Sequence, residues 1–204
     1  RLDGVTGVQT CALPIFTLQS AGDAAVIEAP DALAITFHMG EGAGTVLRNL
    51  VIANSAIGIW LADSSPTISN VTVVGNVLGV EAYGRSEPCI ANSIFWDNAE
   101  SDLYGCVATF SCVERRASGI GNFSLDPLLV DPENGDYHLR SKRGRYWAGQ
   151  GVWVLDEMAS PCIDAGDPTA DCSAEPEPNG GRLNVGAHGG TAYAEMSERG
   201  IPGQ

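Results

Sequence analysis

Basic residues are scarce in this chain: eleven Lys and Arg face 25 Asp and Glu, a formal charge of −14. Such a field repels nucleic-acid phosphates and anionic lipid, so neither is an expected partner. Long apolar runs are missing too. No stretch approaches the roughly 20 residues that cross a bilayer, and no membrane insertion is expected. Residues 1–20 lack the basic start, apolar run and small-residue cleavage site of a secretory signal. Histidine occurs only at positions 38, 138 and 188, none at ligand spacing from a cysteine, and there is no Cys-x-x-Cys. Those absences exclude the usual zinc-site patterns, and no metal or other cofactor is expected. What is present, 44% hydrophobic and 18% charged residues, suits a chain that folds around a core.

The middle of the chain repeats. Leu47-Arg-Asn-Leu-Val-Ile52, Ile68-Ser-Asn-Val-Thr-Val73 and Ile90-Ala-Asn-Ser-Ile-Phe95 align at steps of 21 and then 22 residues. The same offsets superpose Asn49, Asn70 and Asn92, Gly58 with Gly79, Ile59 with Val80, and Asn76 with Asn98. Each unit reads as strand, turn, strand, rich in Val, Ile and Thr and broken at Asn or Gly. Pro66 and Pro88 precede the second and third units, where a fixed φ and a missing N–H suit a corner. Units this small cannot bury an apolar face alone, so they must stack into a continuous apolar column. The recurrent Asn fits a left-handed turn, hydrogen-bonding nearby backbone or the amide of the next coil.

Ile68-x-x-Val-x-Val-x-x-Asn76-x-Leu78 also fits a leucine-rich repeat. That architecture needs a helical turn after the Asn, and Gly79-Val-Glu-Ala-Tyr-Gly-Arg-Ser-Glu-Pro88 is too broken by Gly and Pro to supply one. The expected fold is therefore all-β: a right-handed parallel β-helix of about four coils, 21–22 residues each, with an irregular, loop-rich C-terminal cap. Residues 1–19 are set apart as an artefactual or disordered start, because residues 5–15 resemble translated sequencing-adapter DNA; the chain is expected to be truncated there. Coils occupy 20–121, with Ala25-Val-Ile-Glu-Ala and Ala34-Ile-Thr-Phe-His as early strands and residues 107–113 as the last. A capping region, 122–195, is expected over the open end, where a bare coil would expose its core and its strand edges. Residues 196–204 form a tail. Besides Cys11, cysteines stand at 89, 106, 112, 162 and 172; Cys106 with Cys112 and Cys162 with Cys172 are plausible loop-closing pairs, though sequence does not fix connectivity.

The repeats resemble right-handed parallel β-helix proteins of the pectin-lyase-like superfamily. The segment from Phe123 to Leu139, then Ser160-Pro-Cys-Ile-Asp-Ala-Gly-Asp-Pro168 and Asn184-Val-Gly-Ala-His-Gly-Gly190, resembles the C-terminal closure of large secreted bacterial β-helix proteins. It departs from them at His188 and Cys172, where an aromatic is expected. The resemblance implies an extracellular or cell-surface location.

No catalytic constellation is legible. Enzymes of this fold stack carboxylates on one outer face, whereas Arg48, Asp63, Thr72, Glu81, Arg85, Asp97 and Glu100 fall out of register. His188 sits in a Gly-rich tail without a carboxylate partner in register. Asp131, Asn134 and Asp136 could hold calcium, but Asp-Pro and Asn-Gly read better as a turn. Asp164 and Asp167 read as backbone caps. Trp60, Trp96, Trp147 and Trp153, with Tyr104 and Tyr146, would stack on sugars if exposed together; core packing is the simpler reading. The basic cluster from Arg140 to Arg145 reads as a solvated loop. The expectation is thus a noncatalytic scaffold or a module recognising polysaccharide or cell-surface glycan, as a monomer or part of a longer chain. The alternative is a piece of a polysaccharide lyase, hydrolase or epimerase whose active coils lie upstream.

Overall fold

A computed structural model describes residues 15–115 and 117–198. The adapter-like segment up to residue 14, with Cys11, and the tail beyond 198 lie outside the described residues. The chain is a parallel β-solenoid of about four turns, with no α-helix among the described residues.

The first coil holds β1 (Thr17–Gln19), β2 (Ala25–Glu28) and β3 (Leu33–Phe37), the second β4 (Val46–Ala53) and β5 (Ile57–Ala62). The third holds β6 (Thr67–Val74) and β7 (Leu78–Tyr83), the fourth β8 (Cys89–Ala91), β9 (Ile94–Trp96) and β10 (Ser101–Tyr104). Two short strands, β11 (Ala108–Thr109) and β12 (Cys112–Val113), begin another turn. β1, β4, β6, β8 and β11 pair in parallel, with β2, β9 and β12 continuing the second arm of that sheet. β3, β5, β7 and β10 form the other sheet.

The two arms meet at Asn49, Asn70 and Asn92, whose φ angles of 52°, 49° and 52° are left-handed, a conformation Asn tolerates better than most residues. Phe110 takes the same conformation between β11 and β12 (φ 47°). Side chains alternate across each strand, so every second residue enters the core. Leu47, Ile68, Ile90 and Ala108 stand in one register column; Ile52, Val73, Phe95 and Val113 in a second; Ile35, Ile59, Val80 and Leu103 in a third. Together they form the main apolar core. The glycine column has a packing cause: a Cβ on Gly79 would lie 2.5 Å from the Asp102 carbonyl oxygen.

The C-terminal region packs both at the solenoid end and along its side. The residues just after β12 close the solenoid end: Phe110 N–H donates to Ile120 O, Val113 N–H to Phe123 O, and Asn122 Nδ2 to Ala108 O. The remainder wraps along the side instead of covering the end. It carries two hairpin pairs, β13 (Leu129–Asp131) with β14 (Asp136–Leu139) and β15 (Arg145–Trp147) with β16 (Val152–Val154). The outward column Val51, Thr72, Ile94 and Cys112 is apolar enough to need a cover, and Tyr137, Leu139, Cys162, Val185 and Ala187 of this wrap pack in the clusters it forms.

The turn asparagines hold the wrap. Asn49 Nδ2 donates to the carbonyls of Ala187 (3.1 Å) and Gly189 (2.9 Å), Asn70 Nδ2 to Asn184 (3.2 Å) and Gly186 (3.4 Å), and Asn92 Oδ1 accepts the Asp167 amide (2.7 Å). These contacts run across to the wrap. The amide ladder between coils is made by the other pair, Asn76 with Asn98.

Candidate functional site

With one solenoid face under the wrap, the sheet of β3, β5, β7 and β10 is the face to search for a binding surface. Ile59, Leu61, Val80 and Ala82 point inward, so Trp60, Glu81 and Tyr83 point out. Thr36, Trp60, Glu81 and Tyr104 share one register column, and Tyr83 lies beside Ala62 in the next. Three aromatic rings from three successive coils thereby form a row. Trp60 and Tyr83 have centroids 6.4 Å apart, Tyr83 and Tyr104 5.8 Å apart, each pair tilted by 52°. Tyr83 is 44% exposed and Tyr104 52%, so solvent reaches these rings.

Polar groups flank the row. The Tyr83 hydroxyl donates to Glu81 Oε1 at 2.6 Å, and that bond raises the Tyr83 hydroxyl above its ordinary pKa, keeping it a donor. Glu81, Tyr83, Glu100, Ser101, Tyr104 and Arg115 border a cleft of about 580 Å³. Arg115 is fixed there by its guanidinium bond to Ala99 O (2.7 Å) and its amide bond to Asp102 Oδ2 (2.8 Å). Ring faces beside a carboxylate, hydroxyls and a guanidinium can stack on C–H surfaces and exchange hydrogen bonds with hydroxyls.

The other outward residues weighed from sequence do not join this face. Asp63 and Asp97 occupy left-handed turns (φ 49° and 54°), with Asp63 Oδ1 accepting the Arg85 amide at 3.0 Å. Arg48 reaches Gln19. Thr72 is buried, its hydroxyl accepting the Ala187 amide at 3.1 Å. The six aromatics named from sequence separate: Trp60 and Tyr104 join Tyr83, which the sequence reading passed over, while Tyr146, Trp147 and Trp153 belong to the β15–β16 hairpin and Trp96 packs against the wrap. A single signal could have found Tyr83: it is the aromatic 21 residues before Tyr104.

The basic cluster divides: Lys142 and Arg143 are exposed, whereas Arg140 and Arg145 turn into the wrap. Arg145 is buried, with Asp156 at 3.1 Å and Asp136 at 3.4 Å; Arg140 donates to Val130 O at 2.9 Å. Asn134 Nδ2 donates to both oxygens of Asp131 (3.0 and 2.9 Å), the geometry of a turn, and Asp136 faces His138. Asp167 Oδ1 caps the Thr169 amide at 2.8 Å. Neither cysteine pair suggested by sequence is bonded: all five described cysteines are free thiols, and Cys162 packs with Cys112 in a cluster beneath the wrap. Burial pushes the Cys162 thiol well up, and its contact with Cys112 adds to the effect.

The structure brings together three residues the sequence left apart. His138 and His188 stack with centroids 3.8 Å apart, and both face Asp23 in the loop between β1 and β2. Burial would raise Asp23, but the two histidines hold it well below the usual carboxylate range. Burial would lower His138; Asp136 and Asp23, with the Glu195 charge, raise it to about 10.

A model of the family described as disaggregatase related matches residues 17–166. No curated protein and no solved structure matches the chain.

Proposed function

The chain belongs to the disaggregatase-related family of β-helix domains, and from that membership we propose that it is a noncatalytic module of a secreted or cell-surface protein that recognises polysaccharide through the face of Trp60, Tyr83 and Tyr104. The observation that carries this reading is the exposed aromatic row. Aromatic rings are normally buried, yet here Tyr83 and Tyr104 are exposed beside the half-buried Trp60, one ring per coil, with successive centroids 6.4 and 5.8 Å apart along the solenoid. An extended chain of pyranose rings laid along the axis would meet a ring at each step. Glu81, Glu100 and Arg115 would take its hydroxyls. The module works as a monomer or as part of a longer chain. Among the described residues no helix is long and apolar enough to cross a membrane.

Affinity electrophoresis and calorimetry against a panel of neutral and acidic polysaccharides, with and without calcium, test this. Binding is expected for at least one member. Tyr83→Ala and Tyr104→Ala should each weaken it about 3- to 10-fold, the cost of roughly 0.5–1.5 kcal/mol per stacked ring. No binding across the panel, or binding indifferent to both substitutions, overturns the assignment. Depolymerisation of any member would overturn its noncatalytic half and turn attention to Glu81 and Glu100.

A further inference from the structure

We propose that Asp23 Oδ1, His138 Nε2 and His188 Nε2 form a three-ligand site for a first-row transition dication such as Zn²⁺, which ties the C-terminal wrap to the first coil. The three atoms lie within 4.8 Å of one another. Asp23 Oδ1 is 3.0 Å from His188 Nε2 and 3.4 Å from His138 Nε2. Tetrahedral ligands about 2.0–2.2 Å from a zinc ion stand at such separations from each other.

A second observation points to an ion. His138 is buried, and its Nε2 has no hydrogen-bond partner: the Asp23 oxygen lies close but out of line. The other ring nitrogen, Nδ1, is 2.9 Å from Asp136 Oδ1, which also accepts the His138 amide at 3.2 Å. Donation from Nδ1–H to Asp136 orients the ring with Nε2 turned toward Asp23, the carboxylate–histidine arrangement that orients metal-bound imidazoles. Two imidazole nitrogens and a carboxylate oxygen thus cluster at one place. A dication there takes the place of the proton on His138, which leaves to solvent.

The donor set chooses the metal. Two imidazoles and one carboxylate suit the zinc class and are too few, and too rich in nitrogen, for calcium, which takes 6–8 oxygens. Asp23 is 32% exposed at its side chain, so solvent reaches the carboxylate edge of the site. Binding opens the stacked rings until both Nε2 atoms meet the ion. The sequence could not announce this site, because no two of its ligands stand at motif spacing.

The test is a titration of the EDTA-treated full chain with Co²⁺ and Zn²⁺ at pH 8, read by Co²⁺ visible absorption, calorimetry and thermal unfolding. One equivalent of Zn²⁺ should bind and raise Tm by several degrees, and Co²⁺ should give four-coordinate absorption bands. Asp23→Asn and His188→Gln should abolish stoichiometric binding, while Asp136→Asn should weaken it by about 10- to 100-fold. Circular dichroism checks the fold of each variant; should His188→Gln fail to fold, Asp23→Asn, altered at a partly exposed side chain, decides. Absence of binding by the folded wild type overturns the proposal, as does undiminished binding by Asp23→Asn or displacement of Zn²⁺ by equimolar Ca²⁺.

Discussion

Asn76 Nδ2 donates to Asn98 Oδ1 at 3.0 Å across one coil, and both side chains are buried. The ladder continues on either side. Asn76 Oδ1 accepts the Ser55 amide at 3.0 Å, and Asn98 Nδ2 donates to Asp102 Oδ1 at 2.8 Å. Asp102, which ends the ladder, is raised above its ordinary range by desolvation, partly offset by the Asn98 and Arg115 bonds. Turn amides that would otherwise be buried without partners are satisfied by side chains.

Replacing Asn76 with Asp should therefore be severe. Asn76 Nδ2 also donates to Ile52 O (3.1 Å) and Val74 O (3.2 Å), and a carboxylate would face both carbonyls and Asn98 Oδ1 with no donor of its own. A loss of about 3 kcal/mol or more at neutral pH is expected in urea unfolding, shrinking at low pH as the new carboxyl gains a proton. A variant as stable as the parent at pH 7 would mean the ladder contributes nothing.

The turn asparagines allow a cleaner separation of effects. Asn70→Gly keeps the left-handed turn and removes only the two bonds to Asn184 O and Gly186 O, at a cost of about 1–2 kcal/mol. Asn70→Ala loses the same bonds but keeps a Cβ at φ 49° without the local hydrogen bonding that lets Asn tolerate it, and should cost about 1–2 kcal/mol more than the glycine variant. Hydrogen exchange should speed up around residues 184–190 in both variants. If the glycine variant leaves exchange there unchanged, Asn70 does not anchor the wrap.

The 21- and 22-residue offsets made the coils legible because stacking forces equivalent residues into columns: Leu47 over Ile68 over Ile90 is visible in the chain itself. The left-handed Asn and the corner prolines followed from local chemistry. The wrap was not legible as a side cover, because its contacts, such as Thr72 with Ala187, join segments more than a hundred residues apart with no period to reveal them. The same distance hid the meeting of Asp23 with His138 and His188. Tyr83 is less legible because an exposed and a core aromatic look alike in sequence; its 21-residue offset from Tyr104 hints at it, and its ring contacts with Trp60 and Tyr104 mark it.

Thiol reactivity should report the wrap. Cys89 is exposed and should be alkylated within minutes in the native protein at pH 8, whereas Cys112 and Cys162 are fully buried and burial holds the Cys162 thiol well above its ordinary range. Peptide mapping after maleimide labelling should find Cys162 modified only in denaturant. Labelling of Cys162 at the rate of Cys89 would show that residues 122–198 lift readily off the coils.

Glu175 sets a pH dependence whose sign is fixed by its surroundings. It is buried; Oε1 accepts the amides of Asn184 and Gly190, both at 2.8 Å, while Oε2 has no partner. Desolvation outweighs those bonds, and the charges of Glu195 and Asp164 add to it, raising the carboxyl to about 7 from an ordinary 4.5. The folded state thus holds a proton that the unfolded state releases near pH 4.5. Stability from this group is full below that pH and falls as pH rises to about 7, by at most about 3 kcal/mol. Glu175→Gln keeps an oxygen for the two amides and cannot ionise. Between pH 5 and pH 8 the wild type should lose stability relative to the variant in parallel urea titrations. Equal slopes for both proteins would place Glu175 in contact with water, and a wild type that gains relative to the variant would reverse the assigned sign.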